Sequence, residues 1–285
     1  MIDRSSSDPG TEPVLGPAVG RATSVSSTAL KALHVLEAVA AEPKPLRLAE
    51  VARATGMDKS LTHRMLATLV HAGYVHQDPE TRRYTMGYRV VTLSRNLLAE
   101  NEVVRLARQT LERIASETHE GVHLEILDGT ETVLVQHVKG SQLVAVDFQV
   151  GDRSLLHSTS IGKVLLAFQD EAFVEAVIVA GLPAFTASTI TEPGLLRREL
   201  RTIREQGYAI DDRETYESMR CISVPVFERD APVRMGISCS GPDSRYTLEY
   251  LDRLCGPLLA ASRELSEKLG GEMPARPAPT LVPGP

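Results

Sequence analysis

Between Leu46 and Leu69 the chain sets two short amphipathic stretches on either side of a glycine, and no other segment constrains the fold as tightly. Leu48, Val51, Ala52 and Thr55 recur at helical intervals, Gly56 interrupts them, and Thr62, Met65, Leu66 and Leu69 resume the period. The first turn of the second stretch is crowded with Lys59, Ser60, Thr62, His63 and Arg64. A helix, a tight turn and a second helix with polar, basic side chains at its start make a helix-turn-helix, whose second helix is shaped for a DNA major groove. An earlier stripe at Ala29, Ala32, Leu33, Leu36, Val39 and Ala40, closed by Pro43 and Pro45, predicts a first helix and hence a three-helix core. The strand-like runs Tyr74 to Gln77 and Arg83 to Met86 flank the turn-forming Asp78-Pro79-Glu80-Thr81-Arg82, which predicts a β-hairpin wing.

A net charge of -6 looks wrong for a DNA-binding chain until it is divided along its length. Residues 20–100 hold 11 Lys/Arg against 7 Asp/Glu, whereas residues 101–285 hold 19 against 27. Attraction to phosphate is thereby assigned to the N-terminal segment. With 42% hydrophobic residues, the 285-residue chain can bury the cores of two domains and is not a disordered chain. It has no apolar run of membrane-spanning length and no secretory signal, so it is expected in the cytoplasm, away from membranes. Cys221, Cys239 and Cys255 lack the spacing of a four-ligand zinc site, and neither a metal nor a cofactor is expected.

Beyond the wing a helical passage runs from about Tyr88 to Thr118 with a break near Asn101, a natural connector. The period then changes to two at Val122 to Leu127, Thr132 to Val138 and Leu143 to Phe148, an antiparallel meander with turns at Asp128-Gly129 and Lys139-Gly140. Helices are expected over Thr159 to Phe168, Glu171 to Ala180 and Pro193 to Gln206. Strands follow at Tyr208 to Ile210, Cys221 to Phe227 and Val233 to Ser240, with a last helix from about Thr247 to Leu269. The fold class is α+β, with helices expected on one side of an antiparallel sheet. The expected domains are a tail over residues 1–23, the winged helix-turn-helix over 24–87, linker helices over 88–118, a second domain over 119–271 and a Pro-rich tail over 272–285.

On the recognition helix Lys59, Ser60, Leu61, His63 and Arg64 face away from the apolar stripe. The basic and hydroxyl groups suit phosphates or base edges, and Leu61 suits a thymine methyl. Arg82 and Arg83 on the wing are placed to meet flanking backbone or minor groove. The plain alternative is a solvated helix in a protein–protein module. A second candidate site lies where Ser158, Thr159 and Ser160 precede a helix containing Gly162 and Lys163, because the free N–H groups and positive end of such a helix favour a carboxylate. Thr159 or Ser158 serving only as an N-cap is the competing reading. Ser238 and Ser240 alternate with Ile237 and Cys239, so both hydroxyls share one sheet face.

The segment from about Ser27 to Met86, with Ala32 to Glu37, Leu48 to Ala52, Lys59 to Arg64 and Gly73-Tyr74-Val75, resembles the IclR family of bacterial transcriptional regulators. The resemblance continues through Leu124 to Gly129, His157 to Lys163, Gly207 to Asp212, Arg220 to Val226 and Ile237 to Pro242 in the same order, covering roughly residues 25–270. It implies a winged-helix regulator, more often a repressor, of a catabolic operon, whose GAF-like C-terminal domain binds a small organic acid. The implied effector positions are Ser158, Thr159, Ser160, Ile161, Asp211, Met219, Cys221, Ser238 and Ser240, with Met219 as an apolar wall. Three departures stand out: Ser60-Leu61 replaces the family's usual Ser-Thr, Ser160-Ile161 stands where members that bind small two- or three-carbon acids tend to have Gly-Ala, and Ser218 replaces the usual glycine three residues before Cys221. The expected partners are double-stranded operator DNA, the effector and further copies of the chain, as a homodimer or a dimer of dimers, because one winged helix covers too little DNA for tight specific binding. Two other readings are a ligand-independent dimeric regulator and a hydrolase or transferase in which Cys221, assisted by His157 or His123, is the nucleophile.

Overall fold

A computed structural model of the chain describes residues 25–98 and 102–273. The expected tails lie outside those residues, except for residues 272 and 273, as does the break near Asn101. The chain divides into two compact units between Asn101 and Glu102.

In the first unit α1 (Ser27–Ala40), α2 (Leu48–Thr55) and α3 (Lys59–His71) pack around Val35, Val39, Val51, Met65, Leu66 and Leu69. Gly56 closes α2 in the left-handed region at φ 63°, where a side chain would be strained, and so sets the turn into α3. Asp58 caps α3 by accepting from the Leu61 N–H. Strands β1 (Val75–Gln77) and β2 (Tyr84–Met86) form the wing. Its turn is held by Asp78, whose Oδ1 accepts from the Glu80 and Thr81 N–H groups and the Thr81 hydroxyl. Leu46 pairs with Tyr84 through two backbone hydrogen bonds of 2.9 and 2.7 Å, adding a third rung beside β2. Helix α4 (Arg89–Leu98) ends this unit.

The second unit opens with α5 (Glu102–Thr118), followed by β3 (Val122–Asp128), β4 (Glu131–Val138) and β5 (Arg153–Leu155). Helices α6 (Ser160–Ala167), α7 (Glu171–Ala180) and α8 (Pro193–Gln206) precede β6 (Ala209–Asp212), β7 (Met219–Val226), β8 (Met235–Pro242) and α9 (Leu248–Lys268). The six strands make one antiparallel sheet in the order β5-β4-β3-β8-β7-β6.

Three expectations need correction. The connector read over Tyr88 to Thr118 is two different things: α5 is a core element, burying Ala107, Leu111, Ile114 and Ala115 against the sheet. Leu143 to Phe148 forms no strand; the β4 edge pairs with Arg153–Leu155 instead, and Leu143 and Val144 remain exposed. Helices cover both sheet faces. On the outer face α5 and α9 meet Val122, Leu124, Ile222, Val224, Ile237 and Cys239. On the inner face α6 and α8 meet Leu127 and Ala209 in a second apolar cluster. β7 is buried at almost every position, as a strand covered twice must be.

Candidate DNA-reading helix and effector-binding face

The α3 face turned from the core exposes Lys59, Ser60, His63 and Arg64, and one turn further on Ala67 and Thr68, which sequence reasoning missed. Leu61 departs from the expectation. It is half-buried and packs with Met57 against the three-helix core, because it stands four residues before Met65 on the rim of the stripe. Arg82, at the wing turn, is exposed with φ 57°. Arg83 is half-buried: its guanidinium donates to the Pro45 carbonyl at 2.7 Å and lies 3.9 Å from Glu50, which ties the wing to the start of α2.

The second candidate site grows from the alternation of the strands. Side chains that point away from α5 and α9 form rows across the inner face. Asp211, Cys221 and Ser240 are cross-strand neighbours in one row, and His137, His123, Ser238 and Ser223 in the next. Helix α6 lies over this face, and its Ser160 hydroxyl meets that of Ser223 at 2.6 Å. Six of the nine expected effector residues, namely Ser158, Ser160, Asp211, Cys221, Ser238 and Ser240, are thus buried on the inner face or at the start of α6. Met219 is buried at the head of β7.

Two of the nine take structural positions. Thr159 is the N-cap of α6: its Oγ1 accepts from the Gly162 N–H and donates to the Leu155 carbonyl. Ile161 belongs to the apolar cluster beneath α6, where a Cβ on Gly236 would stand 2.6 Å from its Cδ1. The isoleucine therefore fills space that a side chain on β8 would otherwise take.

Electrostatics mark the same face. Burial pushes the Asp211 carboxyl up to about 6, against the lowering effect of a 2.6 Å hydrogen bond from the Glu214 N–H. Glu214 is raised to about 7 by burial even though it grips the Lys163 ammonium. That ammonium also donates to the Ile210 carbonyl at 2.7 Å and to Glu199 at 3.4 Å, so it is consumed in pinning α6 to β6. Ser158 Oγ, Asp211 Oδ2 and both His123 ring nitrogens are buried with no hydrogen-bond partner among the described residues. Glu125, His137 and Ser223 were missed as site residues and His123 was weighed only as a base for Cys221, although the alternation of Val122, His123, Leu124 and Glu125 already put the polar pair on one face. Among the described residues no group of three or more His, Cys, Asp or Glu side chains is placed to hold a metal ion.

A winged helix-turn-helix followed by a domain with a buried polar face defines a DNA-binding regulator with an effector domain. Residues 28–79 match the IclR helix-turn-helix domain, and residues 95–267 match the bacterial transcriptional regulator IclR C-terminal domain. The transcriptional regulator KdgR of Escherichia coli (strain K12) is 32% identical over 245 residues, covering 86% of this chain and 93% of KdgR. The crystal structure of Thermotoga maritima IclR superimposes with a TM-score of 0.69 at 31% identity, covering 85% of this chain and 98% of that one. An IclR homologue from Microbacterium hydrocarbonoxydans, complexed with 4-hydroxybenzoate, shares the fold with a TM-score of 0.72 at 22% identity, covering 86% and 99%. The chain belongs to the IclR family of bacterial transcriptional regulators. It is a regulator and not an enzyme. Cys221 fits that conclusion: burial and the nearby Asp211 push its thiol well up, opposite to what a nucleophile needs, and His157 Nε2 is engaged with the Pro183 carbonyl. No described helix is long and apolar enough to cross a membrane.

Proposed function

We propose that the chain is a repressor of a catabolic operon whose operator affinity is set by a small organic acid bound between α6 and the inner sheet face. The observation that carries the acid is the meeting of two features. Apart from that of Gly162, which Thr159 caps, the first N–H groups of α6 have no partner within the helix, as at every helix start, and they follow the buried, unpartnered Ser158 hydroxyl, while an unpartnered Asp211 oxygen lies on the inner sheet face. The 4-hydroxybenzoate held by a family member of the same fold supports that ligand class. Ser160, Cys221, Ser238 and Ser240 complete the contact set, with Met219 as its wall. Lys59, Ser60, His63 and Arg64 read the operator, with Arg82 on the flanking backbone. One reading helix per chain calls for two half-sites, hence a homodimer or a dimer of dimers.

Footprinting upstream of its own and neighbouring genes identifies the operator. On that fragment Arg64→Ala is expected to remove protection while acid binding, followed by calorimetry, stays unchanged; an equal loss of both would break the division of labour. Ser240→Leu is expected to abolish the response to acid and leave operator binding intact. An unaltered dose response would sink the site assignment, and silence of the wild type across a broad panel of carboxylic acids would favour a regulator without a ligand.

A further inference from the structure

One polar side chain on the inner face has no structural use that accounts for its chemistry. His123 is 2% exposed, and its ring is fixed from two sides. It stacks on His137 with centroids 4.7 Å apart and planes 17° from parallel, and it meets Phe148 edge-on at 4.7 Å. The His137 Nδ1 is itself satisfied by the Phe148 carbonyl at 3.1 Å. Packing of this kind would hold a phenylalanine equally well. It leaves both His123 nitrogens buried without partners among the described residues, a costly arrangement that a ligand's polar group would relieve.

The row in which His123 stands joins it to the start of α6. His123 faces Ser238, Ser238 faces Ser223, and the Ser223 hydroxyl touches Ser160 in the first turn of α6. Two strand intervals, about 10 Å between backbones, separate Ser223 from His123. The far end does not suit a second anion. Burial keeps the His123 ring neutral, pushed down to about 3, so it offers one N–H and one lone pair. The inner-face residues of β3, β6, β7 and β8 include no Lys or Arg, and Lys163 is already held by Glu214 and Glu199.

We propose that His123 contacts the effector and selects acids that carry a second, uncharged hydroxyl or keto oxygen besides the carboxylate. This rests on the inner face being the effector site, so the test separates the two ideas. Two matched pairs, benzoate with 4-hydroxybenzoate and hexanoate with 6-hydroxyhexanoate, are titrated calorimetrically into the full chain, together with terephthalate as a di-acid. In at least one pair the hydroxylated member binds roughly tenfold tighter or better, because a site with unpaired polar groups penalises a ligand that cannot meet them. Terephthalate binds more weakly than benzoate. His123→Phe keeps the stack on His137, removes both nitrogens and brings the ratio to within about twofold at nearly unchanged affinity for the parent acid. In the wild type, whatever the folding of that variant, the His123 ring 15N resonances shift with the hydroxylated member and not with its parent. A parent acid that binds with no hydroxyl preference, a preference that survives His123→Phe, or tighter terephthalate binding overturns the role of His123 and leaves the site standing. Failure of every acid to bind overturns both.

Discussion

The two faces of the six-stranded sheet are built from alternate residues of the same strands, yet they obey opposite rules. Outward, Val122, Leu124, Ile222 and Ile237 are sealed by α5 and α9 in an apolar cluster, with Gln136 beside Leu124 and the Tyr246 hydroxyl as buried polar exceptions. Inward, the intervening His123, Glu125, Ser223 and Ser238 are buried as well but carry polar atoms, and both His123 nitrogens have no partner among the described residues. A sheet that needed only to be stable would carry apolar residues on both faces. The apolar cluster on the outer face is the larger of the two, and the polar groups are gathered on the inner face beside the start of α6.

That contrast is open to direct attack. The largest effect is expected on the outer face, where Ile222→Ala leaves a cavity and should cost about 4 kcal/mol in urea unfolding. A cost of the same size for Cys221→Ala, its inner-face neighbour, would break the contrast. Next comes Glu125, which is buried, accepts a 2.6 Å hydrogen bond from Thr132 and is raised to about 7 by burial. Because the folded state holds this proton more tightly than the unfolded chain, the wild type loses stability as pH rises from about 4.5 to about 7. Glu125→Gln keeps the acceptor and removes the ionisation. It should therefore be no more stable than the wild type at pH 4 and more stable at pH 8, by up to about 3 kcal/mol; a gain independent of pH would contradict the buried carboxyl. The smallest effect sharpens the picture: Ser223→Ala removes one hydrogen bond to Ser160 and should cost about 1 kcal/mol in the same unfolding assay.

Much of this architecture was legible where local chemistry and tertiary packing agree. Helices α7 and α8 follow from their caps, Asp170 for one and Glu192, Pro193 and Gly207 for the other. The segment Leu143 to Phe148 misled because its β-forming side chains have no strand beside them, the β4 edge being taken by β5. Burial of both sheet faces escaped because Ser, Cys and His on the inner face look like solvent-facing alternation. Leu61 was misplaced by a single helical step, enough to move a side chain from the groove to the rim of the core. At the candidate effector site the buried polar residues were readable, whereas the cap role of Thr159 and the packing of Ile161 over Gly236 depend on how closely α6 approaches β8.

The pairing of Leu46 with Tyr84, reinforced by Arg83 on the Pro45 carbonyl, makes the wing part of a continuous backbone framework with the entry to α2. A hairpin of two three-residue strands on its own would have to be ordered by its target, at an entropic cost charged to every binding event. Pinned in this way the DNA-reading surface is preorganised, and little of the interaction energy is lost to immobilising it. In the function proposed above, discrimination between operators then falls to Lys59, Ser60, His63 and Arg64.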